Sequence, residues 1–284
     1  MIPTYTLASG HQMPALGLGT ATVDRDRQVQ IIRMALEMGY PLLDTADSYR
    51  NHERIAEAMQ GFPREKVFLS SKVPAAQAHY DDLLTTCQRN LDELQTDYLD
   101  MYLIHSPAWD IPLEETFTAF AETVERGWVR SVGVSNFAEP ELGEAVEAAR
   151  ASGIVLSNNQ VELHPLLYDW ELLDFCAERN VVVTAYGPLA NGRVFENATL
   201  AELAAECGRD IAQVSLRWLV QKGCVVIPTS SDPEHLQSNL HVFDWELTDD
   251  QMARIDAIEQ WERVYQGRTW RLRQERTPIS EREA

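Results

Sequence analysis

Apolar residues recur along this chain in two alternating rhythms. Short apolar and β-branched runs, bounded by turn residues, predict strands over 16–20, 41–46, 67–73, 99–106, 129–136, 155–162, 181–188 and 225–230. Between them apolar positions return every three or four residues. That spacing predicts helices over 25–38, 52–59, 80–94, 113–125, 141–151, 170–179, 200–206, 211–221 and 233–242. Gly39, Gly127 and Gly153 stand where such helices stop, and Asn51 stands as an expected N-cap where one begins. A first hairpin covers 4–14 and turns at Ser9-Gly10, and a last helix covers 248–259.

Eight strand–helix units over ~250 residues are the arithmetic of an α/β fold of the (β/α)8, or TIM barrel, kind. The N-terminal hairpin then plugs the bottom, and 248–259 is an extra C-terminal helix. No linker composition, repeat or low-complexity tract divides residues 1–262, which read as one domain; 263–284 form an Arg-rich tail. A doubly wound sheet is the alternative. It expects G-x-G-x-x-G after the first strand, and Gly17-x-Gly19 alone falls short of that.

In such barrels chemistry gathers at the C-terminal ends of the strands. The run Leu42-Leu43-Asp44-Thr45-Ala46 carries a carboxylate there, with Tyr49 five residues on. The run ending Ser70-Ser71-Lys72-Val73 carries an ammonium, and Tyr102-Leu103-Ile104-His105-Ser106-Pro107 an imidazole. Only three lysines occur (Lys66, Lys72, Lys222), Arg supplying the remaining basic side chains. A Lys kept at the end of a core strand therefore suggests a role that a planar guanidinium cannot fill. An ammonium beside a phenol favours the phenolate, so Asp44, Tyr49, Lys72 and His105 form a proton-transfer set. They suit protonation of a carbonyl oxygen as hydride reaches its carbon, with His105 orienting that oxygen. No Cys/His cluster has ligand spacing, and no metal is expected. Singly, each residue has an ordinary reading: helix cap, loop aromatic, buried histidine.

Composition narrows the partners. The formal net charge is −20 and the sequence pI about 4.7, which excludes a phosphate-neutralising nucleic-acid face. An acidic, lysine-poor surface is expected of a salt-rich cytosol, and equally of a GC-rich genome that replaces Lys by Arg. The first twenty residues lack a signal peptide, no apolar run spans a membrane, and four scattered cysteines suit a reducing cytoplasm. The expected location is cytoplasmic.

Those strand-end motifs, with Gly133-Val134-Ser135-Asn136-Phe137, Asn159-Gln160-Val161-Glu162 and Ala185-Tyr186-Gly187-Pro188-Leu189, resemble the aldo-keto reductases, in order from residue 1 to about 262. The resemblance implies a monomeric barrel that binds extended NADPH or NADH without a Rossmann fold and reduces small carbonyl substrates. It implies Tyr49 as proton donor, supported by Asp44, Lys72 and His105. By position it gives the carboxamide of the cofactor to Ser135, Asn136 and Gln160 and the nicotinamide ring to Tyr186. Thr20, Gly187 and Leu189 fall in the same cofactor site, and Ser230 and Asn239 lie along the phosphates and adenine. Thr229 and His235 stand where the family typically has Lys and Arg around the 2′-phosphate, so use of NADH is expected. Gly187 stands where Ser is common. Ala21 stands where many relatives place a bulky aromatic, opening the substrate pocket on that side.

Two rival functions remain. One is a barrel glycosidase with Asp44 and Glu162 as acid and base; the other is a sensor or ancillary subunit that holds cofactor and turns over slowly. Trp109 is expected to line the substrate pocket, with ordinary loop packing as its alternative. His164 reads as a loop histidine or a substrate contact. The tail, with Trp261, Tyr265 and Trp270 as anchors, is expected either to select carboxylate-bearing carbonyls or to dock on the acidic body.

Overall fold

The structure, a computed structural model, describes residues 1–259 and 262–265. Eight parallel strands follow one another in chain order: β3 (Leu18–Gly19), β4 (Leu42–Asp44), β5 (Phe68–Val73), β6 (Met101–Ile104), β7 (Val132–Ser135), β8 (Leu156–Glu162), β9 (Val182–Tyr186) and β10 (Val225–Ile227). The ring closes between first and last strands through Gly17 N–H to Val226 O (2.9 Å) and Val226 N–H to Ala15 O (3.0 Å). The expected barrel is therefore present, and the doubly wound alternative falls. Before it, β1 (Thr4–Thr6) and β2 (Gln12–Pro14) pair antiparallel as the hairpin.

A strand turns alternate residues to opposite faces, and the strands use this parity fully. In β5, Leu69 and Val73 pack outward with the helices, whereas Phe68, Ser70 and Lys72 share the other parity. At the bottom of the barrel Leu42, Phe68, Met101 and Val225 form a small apolar cluster with Leu7 and Met13 of the hairpin, which plugs that end as expected. At the top the same parity presents Asp44, Lys72, His105, Gln160 and Tyr186. One apolar layer and one polar layer are thus stacked inside one ring.

The helices are α1 (Gln28–Met38), α2 (His52–Met59), α3 (Tyr80–Leu94), α4 (Leu113–Glu125), α5 (Glu139–Ala151), α6 (Trp170–Glu178), α7 (Ala198–Cys207), α8 (Ile211–Gln221), α9 (Pro233–Asn239) and α10 (Asp249–Asp256). Most differ from expectation only at their ends. α5 begins two residues early because Pro140 fits a first turn, where its missing N–H costs nothing. Asn51 does not cap α2 with its side chain. Its amide is instead spent on Thr45 Oγ1 (2.6 Å) and Thr20 Oγ1 (3.0 Å), tying the loops above β3 and β4 together. All four cysteines are free. Burial pushes the thiols of Cys87, Cys176 and Cys224 up to about 12, leaving them unreactive packing groups. No helix among the described residues is long and apolar enough to cross a membrane.

Gly133 fixes the approach of β6, β7 and β8. A Cβ there would stand 2.4 Å from Leu103 Cδ2 and 2.7 Å from the Asn158 carbonyl oxygen. The second contact is main chain and cannot rotate away. Gly133→Ala is expected to destabilise the fold by about 1–3 kcal/mol through overpacking, read as a lowered urea midpoint at unchanged slope. An unchanged midpoint would show that the strands can part.

Candidate active site

Three strand ends converge on Asp44, which is almost fully buried. Lys72 Nζ donates to Asp44 Oδ1 at 2.6 Å and to the Thr45 carbonyl at 2.8 Å. Asp44 Oδ2 accepts from Ser70 Oγ (3.1 Å) and from Gln160 Nε2 (2.8 Å). A buried ammonium is costly unless paired and hydrogen-bonded, and this one is both. Tyr49 ends a short 3-10 turn, Asp47–Tyr49, just above β4, which returns its ring over the barrel mouth. Lys72 Nζ lies 5.3 Å from the centre of that ring, and the His105 ring meets it edge-on at 5.7 Å. His105 Nδ1 is 3.4 Å from Ser48 Oγ. The four residues of the expected proton-transfer set are thus in one place, with Tyr49 and His105 facing a cavity of about 170 Å³.

The expected cofactor residues extend from this cavity. Ser135, Asn136, Gln160, Tyr186, Gly187, Thr20, Ala21 and Thr229 line it. They are knit together: Ser135 Oγ donates to Gln160 O (2.8 Å), and Tyr186 Oη donates to Asn136 Oδ1 (2.8 Å). Asn136 Nδ2 donates to His105 O (2.9 Å) and Ser135 Oγ (3.0 Å). Asn136 sits at φ 65°, a left-handed conformation that asparagine tolerates. Leu189, Ser230, His235 and Asn239 line a second space of about 340 Å³. The two spaces share Thr22, Gly187, Thr229 and Tyr265 and so adjoin; together they are the cleft.

Other expectations end elsewhere. Trp109 is 62% exposed and lies in a separate outer groove with Pro112 and Glu141, because the loop after β6 turns away from the cavity. Glu162 accepts from main-chain amides of the 262–265 segment and lies beside His164; both side chains are fully buried. His164 is thus a structural residue. Arg193 pairs with Glu262. Of the tail, Arg263 and Tyr265 are described; Trp261 and residues 266–284, with Trp270 and the other arginines, lie outside the described residues. One residue escaped the sequence reading. His52 on α2 bridges Glu93 (Nδ1, 3.0 Å) and Ser71 Oγ (Nε2, 3.1 Å), bracing the outer face of the strand whose inner face carries Lys72. Tyr265, read as a tail anchor, is a wall of the cavity.

Residues 14–260 match the model of the aldo/keto reductase family. The chain belongs to the aldo/keto reductase family. It is 40% identical over 266 residues to an aldo-keto reductase of Mycobacterium avium (strain 104), covering 93% of this chain and 92% of the relative. It is 36% identical over 264 residues to the glyoxal reductase of Bacillus subtilis (strain 168), covering 92% and 94%. The solved aldose reductase of Schistosoma japonicum superposes with a TM-score of 0.87 at 28% identity, over 93% of this chain and 94% of that one. The chain is accordingly an oxidoreductase that reduces carbonyl groups. Neither the glycosidase nor the slow sensor is favoured.

Two buried histidines set an acid limit on the fold. Burial holds the His164 imidazole below its usual range, opposed by Glu162; burial likewise lowers His52, opposed by Glu93. His164 Nδ1 has no partner among the described residues while Nε2 faces the Glu162 carboxylate at 3.3 Å, which assigns the proton to Nε2. Below pH ~6.5 the unfolded chain takes up protons that these folded sites refuse. Their contribution is present above that pH and is lost as pH falls through the lower folded values. The urea midpoint is expected to be lower at pH 5 than at pH 7.5. An NMR titration placing both histidines at or above the free-imidazole value would contradict this origin.

Proposed function

We propose that this reductase takes hydride from a nicotinamide dinucleotide and a proton from Tyr49 to convert small aldehydes or ketones to alcohols. The carrying observation is the buried Lys72–Asp44 pair beneath a phenol and an imidazole that share one cavity. Tyr49 gives its proton to the carbonyl oxygen as the carbon is reduced. Lys72 stabilises the phenolate that remains, and Asp44 holds Lys72 and balances its charge. His105 orients the carbonyl oxygen.

The residues present fit the dinucleotide. The cleft combines two adjoining spaces, and the one that holds Tyr49 and His105 is also lined by Tyr186 and by the hydroxyl or amide side chains of Ser135, Asn136 and Gln160. Ser135, Asn136 and Gln160 would hold the carboxamide and Tyr186 the ring; Thr20, Gly187, Leu189, Thr229, Ser230, His235 and Asn239 belong to the remainder. Bound there, the group supplies the hydride. No Lys or Arg is among the described residues lining the cleft, whereas the Asp210 carboxylate is. That supports NADH used as well as NADPH or better, since a charge-assisted hydrogen bond to the 2′-phosphate is worth about 1.5–3 kcal/mol. The small cavity and the relative named glyoxal reductase support small aldehydes as substrates.

Tyr49→Phe should bind dinucleotide normally and lose carbonyl reduction by about 10²–10⁴-fold, the usual worth of general acid catalysis. Activity close to wild type in steady state would remove Tyr49 from the chemistry. The double change Thr229→Lys with His235→Arg should move kcat/KM toward NADPH by tenfold or more for each ~1.4 kcal/mol gained. A wild type already favouring NADPH a hundredfold would show that a different cation holds the phosphate.

A further inference from the structure

Glu162 and Tyr265 have no part in the chemistry above, yet Tyr265 lines the cavity and Glu162 holds its main chain. Glu162 ends β8 and is fully buried. Its Oε1 accepts from the backbone N–H of Val264 at 2.6 Å, and both its oxygens lie 3.4 Å from the N–H of Tyr265. A buried carboxylate is costly unless its lone pairs are used. Here they are used by main-chain amides more than a hundred residues further along. Segment 262–265 is pinned at two more points. Glu262 N–H donates to Leu166 O at 2.8 Å, and the Glu262 side chain pairs with Arg193 from the loop after β9.

The pinned backbone delivers a ring to a particular place. Tyr265 meets Tyr186 at 5.5 Å between ring centres and 77° between planes. A Cβ added at Gly187 would stand 2.4 Å from Tyr265 Cε2 and 3.2 Å from its Oη. The ring fills the niche that any side chain at 187 would need, and Gly187, at φ +59°, leaves it open. Tyr265 is also one of the four residues common to the catalytic cavity and the adjoining space.

We propose that Tyr265 is a cofactor-site residue, the wall at which the catalytic cavity opens into the cleft, and that Glu162 is the positioning residue that holds it there. This rests on the dinucleotide reading of the cleft. Tyr265 gives the bound group an aromatic face and a hydroxyl beside Gly187. Glu162 touches neither substrate nor cofactor and acts through the two amides.

Binding of NADH and NADPH to the full-length protein, read by quenching of protein fluorescence, tests this without turnover. Tyr265→Ala is expected to raise Kd for the better-bound dinucleotide about tenfold, equivalent to ~1.4 kcal/mol. Tyr265→Phe, which keeps the ring, should retain most of the affinity. Glu162→Gln should raise Kd, and without any cofactor it should speed amide hydrogen exchange at Val264 and Tyr265. In the Tyr265→Ala background it should change Kd no further, since the two residues act as one unit. If Glu162→Gln does not fold, Glu162→Asp takes its place. Equal binding by wild type and Tyr265→Ala, or tighter binding by the variant, overturns the inference and leaves the cofactor reading standing. Equal effects of Glu162→Gln in both backgrounds would reduce Glu162 to a structural residue. A wild type that binds neither dinucleotide removes the cofactor reading and this inference with it.

Discussion

The Lys72–Asp44 pair is the constraint around which the upper barrel is arranged. Neither charge is tolerable alone at that depth, and removing one partner of such a pair typically costs about 3–5 kcal/mol. Satisfying both requires groups from several strands at once. Asp44 comes from β4, Ser70 and Lys72 from β5, and Gln160 from β8 across the barrel. The Asp44 main chain is bound as well, its carbonyl accepting from Thr20 N–H (3.0 Å) and Thr20 Oγ1 (2.9 Å) above β3. The pair therefore holds the barrel mouth in shape while keeping an ammonium beside Tyr49. Two of the three ammonium donors are committed to Asp44 and Thr45.

The hairpin serves the opposite end. Leu7 and Met13 complete an apolar layer that the strands alone leave open. Along β4 and β5 the apolar layer below and the polar layer above are separated by a single residue. In β4 the step from Leu42 to Asp44 crosses from one to the other. That short distance is why a strand as short as the three residues of β4 can serve both a core and a site.

What could be read in the sequence follows from this economy. Short apolar runs alternating with helical spacing are written in neighbouring residues, so the ring of eight was legible, and with it Asp44, Lys72 and His105 at the strand ends; the parity that turns Phe68, Ser70 and Lys72 to one face emerged only in the structure. Helix limits were legible to within a few residues because caps and glycines are local. Features that depend on contacts distant in the chain were not. Nothing near Glu162 announces that it will bind amides at 264 and 265. Nothing near Asn51 says that its side chain will leave its own helix for Thr45 and Thr20. The placement of Trp109 failed for a related reason: a loop's composition does not record which way it turns. His52 gave no signal because one buried imidazole on a helix resembles any other.

The Gly187–Tyr265 contact makes the top of this barrel less modular than its loops suggest. The loop after β9 and the C-terminal segment look like separate parts, each open to exchange with a relative's version. They are reciprocal halves of one surface. A loop bearing a side chain at 187 would collide with the ring at 265, and a segment lacking that ring would leave a gap beside 187. Chimeras that cross over between these two positions would inherit either the collision or the gap. Those that carry both together would inherit neither, so positions 187 and 265 are a single unit of recombination.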